Sequence, residues 1–145
     1  MNHADPRVAR TVAFFEQLTP ADLVRLGEIY AADARFKDPF NEVQGVAAIE
    51  RVFARMFDGL DAPRFVIRDA VTEGGQAFLI WDFRFRMRRF GRATEQQVCG
   101  ATHLVFAGDG RIALHRDYWD AAEELYEKLP VVGALMRWLK RRASS

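Results

Sequence analysis

His115, Asp117 and Trp119 recur at every second position near the end of the chain, so a strand over 111–119 puts all three on one face. If that face walls a pocket, the Asp117 carboxylate could act as base or acid, with the His115 imidazole as its orienter or shuttle. The competing structural role is a cap: Asp117 or Asp120 precedes a helical stretch over 120–129, and Arg116 would then bridge across the sheet. Asp38 is the second carboxylate of interest. Pro39 forces a non-helical backbone on it, and the side chain of an Asp-Pro turn commonly bonds nearby backbone. His103 should face away from Thr102, as a satisfied or interface residue.

Other chemistries find no support in the residue pattern. His3, His103 and His115 show no i, i+4 pairing on a helix, so no metal site is expected. No Gly-rich phosphate loop, Ser-His-Asp order or dinucleotide fingerprint occurs, and no organic cofactor is implied. Cys99, the single cysteine, cannot form an internal disulfide and is expected to pack as a small hydrophobe.

Trp81, Phe83, Phe85 and Met87 alternate with Asp82, Arg84, Arg86 and Arg88, which makes one apolar strand face and one charged one. The apolar face suits a core or a pocket for a flat or long apolar ligand. The charged face, with Arg89, is expected to be solvated, to pair with acids at a dimer interface, or to bind an anionic partner.

The chain has 145 residues, half of them hydrophobic, and 12 Phe, 3 Trp and 3 Tyr. That is material for one domain with a sizeable core and excludes a disordered chain. With 21 basic and 20 acidic side chains the net charge is +1, so a globally basic nucleic-acid binder is not expected. The balance is uneven. Residues 137–145 carry Arg137, Lys140, Arg141 and Arg142 and no acid, a local charge of +4. The other residues carry 17 basic and 20 acidic groups, a charge of −3. The opening MNHADPRVAR has no apolar run, and no stretch approaches the roughly 18 residues of a membrane span. The expected location is cytoplasmic.

Helical spacing appears over 7–18, from about Thr19 to Ala32, and over 46–58; Ala34–Lys37 reads as a short extended piece. Strands follow over 64–73, 77–89, 94–107 and 111–119, with turns at Gly74-Gly75, Phe90-Gly91-Arg92 and Gly108-Asp109-Gly110. Helices over 120–129 and 132–142 close the chain. The second has Val132, Leu135, Met136 and Leu139 on one face with Trp138 at its edge. It would dock on its own domain or a dimer mate, or lie on an anionic membrane surface. The expected class is α+β: three N-terminal helices against a curved antiparallel meander of four strands, plus a C-terminal amphipathic helix.

Two segments carry a resemblance to the NTF2-like superfamily, and within it to the SnoaL-like group of ketosteroid isomerases, polyketide cyclases and limonene epoxide hydrolases. Gly110-Arg111-Ile112-Ala113-Leu114-His115-Arg116-Asp117-Tyr118-Trp119-Asp120 is similar to the G-[RK]-I-x-x-W-R-D-Y-F-D segment of the hydrolases. Ala31-Ala32-Asp33-Ala34-Arg35-Phe36-Lys37-Asp38-Pro39 is similar to the D-A-x-x-x-D-P segment of the isomerases. The resemblance implies an NTF2-like cone over 1–130, with 131–145 a basic amphipathic extension. It also implies a pocket between sheet and helices, a small apolar molecule as ligand, and often a homodimer.

The resemblance places Asp38 at the isomerase general base and Asp117 at the cyclase acid–base aspartate and one hydrolase aspartate. It gathers Phe14, Tyr30, Phe36, Phe53, Trp81, Phe83, Phe85, Thr102 and Trp119 around the ligand. The isomerase oxyanion donors fall on Phe14 and Thr102, a hydrocarbon and a hydroxyl. The hydrolase Tyr and Asn that hold water fall on Phe36 and Asp38, and its Arg and second Asp on Trp81 and Phe83, one residue from Asp82 and Arg84. A one-residue slip would exchange the faces of that strand. The expected function is an acid–base isomerase or cyclase on an apolar carbonyl or polycyclic substrate, using Asp38, Asp117 and His115. The alternatives are a non-catalytic module for a hydrophobic ligand or a partner, and an epoxide hydrolase.

Overall fold

The computed structural model describes residues 3–88, 95–124 and 130–144. The first helix, α1 (Pro6–Glu16), starts where Asp5 accepts the Arg7 amide at 2.9 Å and Pro6 takes the first helical position. Its apolar stripe buries Val8, Val12, Phe14 and Phe15. Thr19 and Asp22 then cap one another across a 3-10 turn, Pro20–Arg25, which runs into a single α-turn, α2 (Leu26–Ile29).

The second expected helix stops there. Tyr30–Lys37 is strand β1, although YAADARFK is rich in helix formers. Tertiary pairing overrides that propensity: β1 runs parallel to the last strand, about eighty residues later in the chain, and buries Tyr30, Ala34 and Phe36. A short strand, β2 (Glu42–Gln44), folds back on β1. Helix α3 (Val46–Gly59) follows Gly45, whose φ of +93° lies in the region that favours glycine, and it buries Ile49, Val52 and Phe53.

The remaining strands are β3 (Leu60–Glu73), β4 (Gln76–Met87), β5 (Gln96–Phe106) and β6 (Ile112–Tyr118). They form the expected antiparallel meander. With β1 and β2 the sheet has six strands in the order β2-β1-β6-β5-β4-β3, so the four-stranded, wholly antiparallel expectation is corrected by one parallel pair. Irregularities in the β1–β6, β3–β4 and β5–β6 ladders bend the sheet around the helices. At the irregularity near Ile67, the Ile67 amide donates to Glu16 Oε2 at 3.0 Å, which ties β3 to the end of α1. The chain closes with α4 (Ala121–Glu124) and α5 (Pro130–Ser144). The turn expected at 90–92, Arg89, and residues 125–129 of the expected 120–129 helix lie outside the described residues.

Register on β4 is settled by its two neighbours. Trp81 pairs with Ile67 and Gly100, and Asp82 with Val66 and Cys99. Trp81, Phe83 and Phe85 face the helices, while Asp82 and Arg84 lie on the outer face. Asp82 is nonetheless buried there, because Arg68 bonds its carboxylate and holds its pKa below the usual range. Cys99 is exposed beside it, with Sγ 3.3 Å from Asp82 Oδ1, so it does not pack as a small hydrophobe. Arg116 makes no bridge to an acid among the described residues and instead lies over the Tyr118 ring at 4.6 Å.

Gly100 is a close-approach position. A Cβ there would sit 2.5 Å from Trp81 Cη2 and 3.1 Å from Trp119 Cβ, so the bare backbone is what admits the indole. Gly100→Ala is expected to cost about 1–3 kcal/mol by overpacking, read from urea unfolding, and to displace Trp81, read from the near-UV circular dichroism.

Candidate active site

The concave face of the sheet and helix α3 enclose a cavity of about 370 Å³. Its wall is mostly apolar: Phe36, Phe53, Phe65, Trp81, Phe83, Phe85 and Trp119 supply rings, and Val52, Met56, Leu60, Met87 and Val98 fill between them. The rings pack on one another. Phe65 and Phe83 stack with centroids 4.7 Å apart, and Phe65 meets Trp81 edge-on at 5.9 Å. Phe40 meets Trp119 edge-on at 5.5 Å. The polar members of the wall are Asp117, Asp38, Asn41 and Arg55.

Asp117 is the focus of a directed hydrogen-bond network. On one arm, the Trp81 indole N–H donates to Thr102 Oγ1 at 2.7 Å, and Thr102 in turn donates to Asp117 Oδ1 at 2.5 Å. An indole nitrogen can only donate, so the Thr102 proton is left to point at the carboxylate. On the other arm, Tyr30 Oη lies 2.7 Å from His115 Nδ1, and His115 Nε2 lies 2.8 Å from the same Asp117 Oδ1. Tyr30 is fully buried, and burial followed by the nearby Asp117 charge pushes its pKa well above 10, so it keeps its proton. The phenol therefore donates to Nδ1, which assigns the Nε2–H tautomer and makes His115 a donor to Asp117. Both arms end on Oδ1. Oδ2 has no partner among the described residues and is the oxygen left for the cavity.

The strand geometry explains the pairing. His115 and Asp117 are two apart on β6, hence on one face, and Thr102 is the register partner of Asp117 on β5. Phe36 on β1 sits beside His115 with ring centroids 4.6 Å apart, and Phe15 from α1 meets it edge-on at 5.7 Å. These rings keep water from the imidazole, which is 5% exposed.

Asp38 has a different situation. Its Oδ1 accepts from the Phe40 and Asn41 amides at 2.8 and 2.6 Å, and the Asn41 side-chain amide reaches both its oxygens at 3.1 Å. The carboxylate thus closes the turn between β1 and β2 while it lines the outer part of the cavity. Arg55 from α3 donates to Asn41 Oδ1 at 3.3 Å and brings a guanidinium to the same rim.

Of the residues singled out in the sequence, Asp38, Asp117, Phe36, Phe53, Trp81, Phe83, Phe85 and Trp119 meet around the cavity. Thr102 and His115 line a separate small cavity of about 20 Å³ that shares Phe53, Phe65, Trp81 and Asp117 with it. Two reach neither. Phe14 lies with Arg10, Asp22 and Arg25 in a separate surface groove, because α1 turns it away from Phe15. Tyr30 lies behind His115 and acts through it rather than on a ligand. His103 faces outward, stacked on Phe78 at 4.6 Å and bonded to Gln76 at 2.9 Å. Asp120 caps α4 through the Glu123 amide at 3.1 Å, while Asp117 does not cap. Arg55, Asn41 and Phe65 were missed. Asn41 alone had a local signal, its place in the Asp38-Pro39-Phe40-Asn41 turn. Among the described residues no group of three metal-ligating side chains converges.

Removing the phenol tests the second arm. Tyr30→Phe leaves His115 Nδ1 buried without its donor and is expected to cost about 1–3 kcal/mol in urea unfolding.

The sequence model of the SnoaL-like domain matches residues 11–115. The chain belongs to the SnoaL-like family. Several solved structures share this shape. A protein with a ketosteroid isomerase-like fold from Catenulispora acidiphila DSM 44928, solved in complex with trimethylamine, is 22% identical with a TM-score of 0.71, covering 85% of this chain and 92% of that one. A protein from Shewanella putrefaciens CN-32 described as a SnoaL-like polyketide cyclase is 20% identical with a TM-score of 0.69, covering 85% and 98%. An LEH-like epoxide hydrolase of M. tuberculosis is 16% identical with a TM-score of 0.63, covering 81% and 83%. At these identities the likeness establishes the shared NTF2-like cone and no activity. No functionally curated protein is significantly similar to the chain.

Proposed function

We propose that this SnoaL-like protein is a cofactor-independent acid–base enzyme, an isomerase or cyclase, for an apolar carbonyl or polycyclic substrate, with Asp117 as the proton-transferring group. The observation that carries the reading is the one-sided bonding of Asp117. Two donors hold Oδ1, and Oδ2 has no partner among the described residues, on a side chain that lines the aromatic cavity. Such a carboxylate is oriented without being neutralised, which is what a base needs.

In this reading the substrate lies along the rings with a carbon alpha to its carbonyl near Asp117. Oδ2 takes the proton, the C–H electron pair passes into the enolate, and the same oxygen returns the proton to another carbon or to the ring-closing centre. Thr102 and His115 spread the carboxylate charge through Oδ1 and fix its angle. Among the described residues Arg55 is the cation of the cavity wall and the candidate to hold the enolate oxygen. Asp38, whose oxygens already serve the β1–β2 turn, supports the rim rather than the chemistry. Family likeness favours the class: relatives of this fold are described as polyketide cyclases and as ketosteroid isomerase-like.

A second reading, a non-catalytic module for a hydrophobic ligand, has one observation behind it. The Thr102 hydroxyl and the Tyr30 phenol are both committed to the network, so neither can donate to a substrate oxygen. Epoxide hydrolysis is disfavoured, because Trp81 and Phe83 occupy the wall where that mechanism would need an Arg and an Asp. Proton exchange decides between enzyme and module: apolar cyclic ketones incubated with the protein in heavy water and followed by NMR. Catalysed deuterium uptake at the alpha carbon supports the enzyme. Binding with no exchange across such ketones would favour the module.

A further inference from the structure

The last helix presents a surface that the cavity chemistry does not use. α5 is 15 residues long, about 22 Å, and within it Leu135, Trp138 and Leu139 follow helical spacing and are 51%, 47% and 45% exposed. Arg137, Lys140, Arg141 and Arg142 belong to the same helix, which contains no acidic residue. On a helical projection Arg137, Lys140 and Arg141 lie on the side away from the Leu135–Leu139 stripe, and Arg142 falls between Trp138 and Leu135 with its guanidinium 5.3 Å above the Trp138 ring. Lys140 is 3.9 Å from Glu123 of α4, a long ion pair with both partners half exposed.

We infer that α5 is an interfacial helix that seats this protein on an anionic lipid surface. Leu135, Trp138 and Leu139 would enter the headgroup boundary, while the four cations meet lipid phosphates around them. Charge complementarity selects this occupant. A helix of +4 on a body of −3 separates the two signs along the chain. A protein surface, a second copy included, would have to supply free carboxylates. Of the body's 20 acids, five described aspartates are already ion-paired with arginines within it: Asp5 with Arg7, Asp22 with Arg25, Asp61 with Arg88, Asp82 with Arg68, and Asp109 with Arg111. A nucleic-acid backbone would meet the cations and leave the indole and leucines unused. An anionic bilayer surface satisfies both, since it offers phosphates beside an apolar boundary. No helix among the described residues is long and apolar enough to cross a membrane, so contact would be in the plane of the surface. This inference stands independently of the reading of Asp117.

The test uses the full chain with sedimenting vesicles of phosphatidylcholine, with and without phosphatidylglycerol. The expected result is sedimentation with the anionic vesicles alone, and release at high salt. The double variant Lys140→Glu/Arg141→Glu should weaken binding about tenfold or more, and Trp138→Ala should weaken it with the charge intact. These side chains are outside the core, so far-UV circular dichroism should match the parent. No sedimentation at low salt, equal sedimentation with neutral vesicles, or undiminished binding of the charge-reversal variant would overturn the inference. So would gel filtration showing a dimer that Trp138→Ala dissociates, because a second copy would then be the occupant.

Discussion

Asp117→Asn is expected to lower the rate of proton transfer by about 10²- to 10⁴-fold while leaving the fold intact. The substitution is close to isosteric. Its amide oxygen can take the place of Oδ1 and keep accepting from Thr102 and from His115 Nε2–H, so both arms of the network survive. What changes is the free position, where a basic oxygen becomes an amide nitrogen that takes up no proton. Deuterium exchange alpha to the carbonyl of a cyclic ketone reads the loss directly, with ligand affinity and urea unfolding as controls. Asp38→Asn is the comparison, and its effect on exchange should be far smaller. An Asp117→Asn protein that exchanges at the parent rate would end the assignment.

Trp81→Ala carries the largest expected effect on stability, about 3–5 kcal/mol. The indole is 4% exposed, lies against Gly100, packs on Phe65, and is the origin of the arm through Thr102. Truncation opens a hole between β4 and β5 and frees the Thr102 hydroxyl to rotate away from Asp117. For a chain of this size that corresponds to a fall in Tm of roughly 10–15 °C. Thermal unfolding measures it, and a shift of only a degree or two would show that the aromatic wall collapses around the gap. Trp81→Phe should restore most of the stability but not the indole N–H. Comparing the two therefore separates packing from the hydrogen bond.

The site was partly legible in the chain because part of it is local. Alternation alone put Trp81, Phe83 and Phe85 on one side of β4, and His115, Asp117 and Trp119 on one side of β6; the structure keeps both sets on the cavity side. A strand has a period of two, so a run of alternating residues states its own faces. The β1 segment carried no such message. Its alanines and charges suit a helix, and what makes it a strand is a parallel partner far along the chain. Missing that strand meant placing Tyr30 on a helix, and so missing the phenol that decides the tautomer of His115. Counting along the family spacing also misplaced Phe14, since a helix changes facing by about 100° per residue and α1 turns that residue to a different groove.

Composition, alternation and two short motifs were sufficient for the α+β class, the SnoaL-like family and a carboxylate with an imidazole beside it. Those features depend on residue type and on neighbours one to four positions away, which a linear chain states openly. The choice between two carboxylates depended on something else. Asp38 and Asp117 are chemically the same group, yet a tight turn fills the first with backbone amides. The second is held on one oxygen by a hydroxyl and an imidazole brought from β5 and β6, themselves set by an indole from β4 and a phenol from β1. Only the folded sheet, in which β1, β6, β5 and β4 lie side by side, decides which aspartate keeps an oxygen for the cavity.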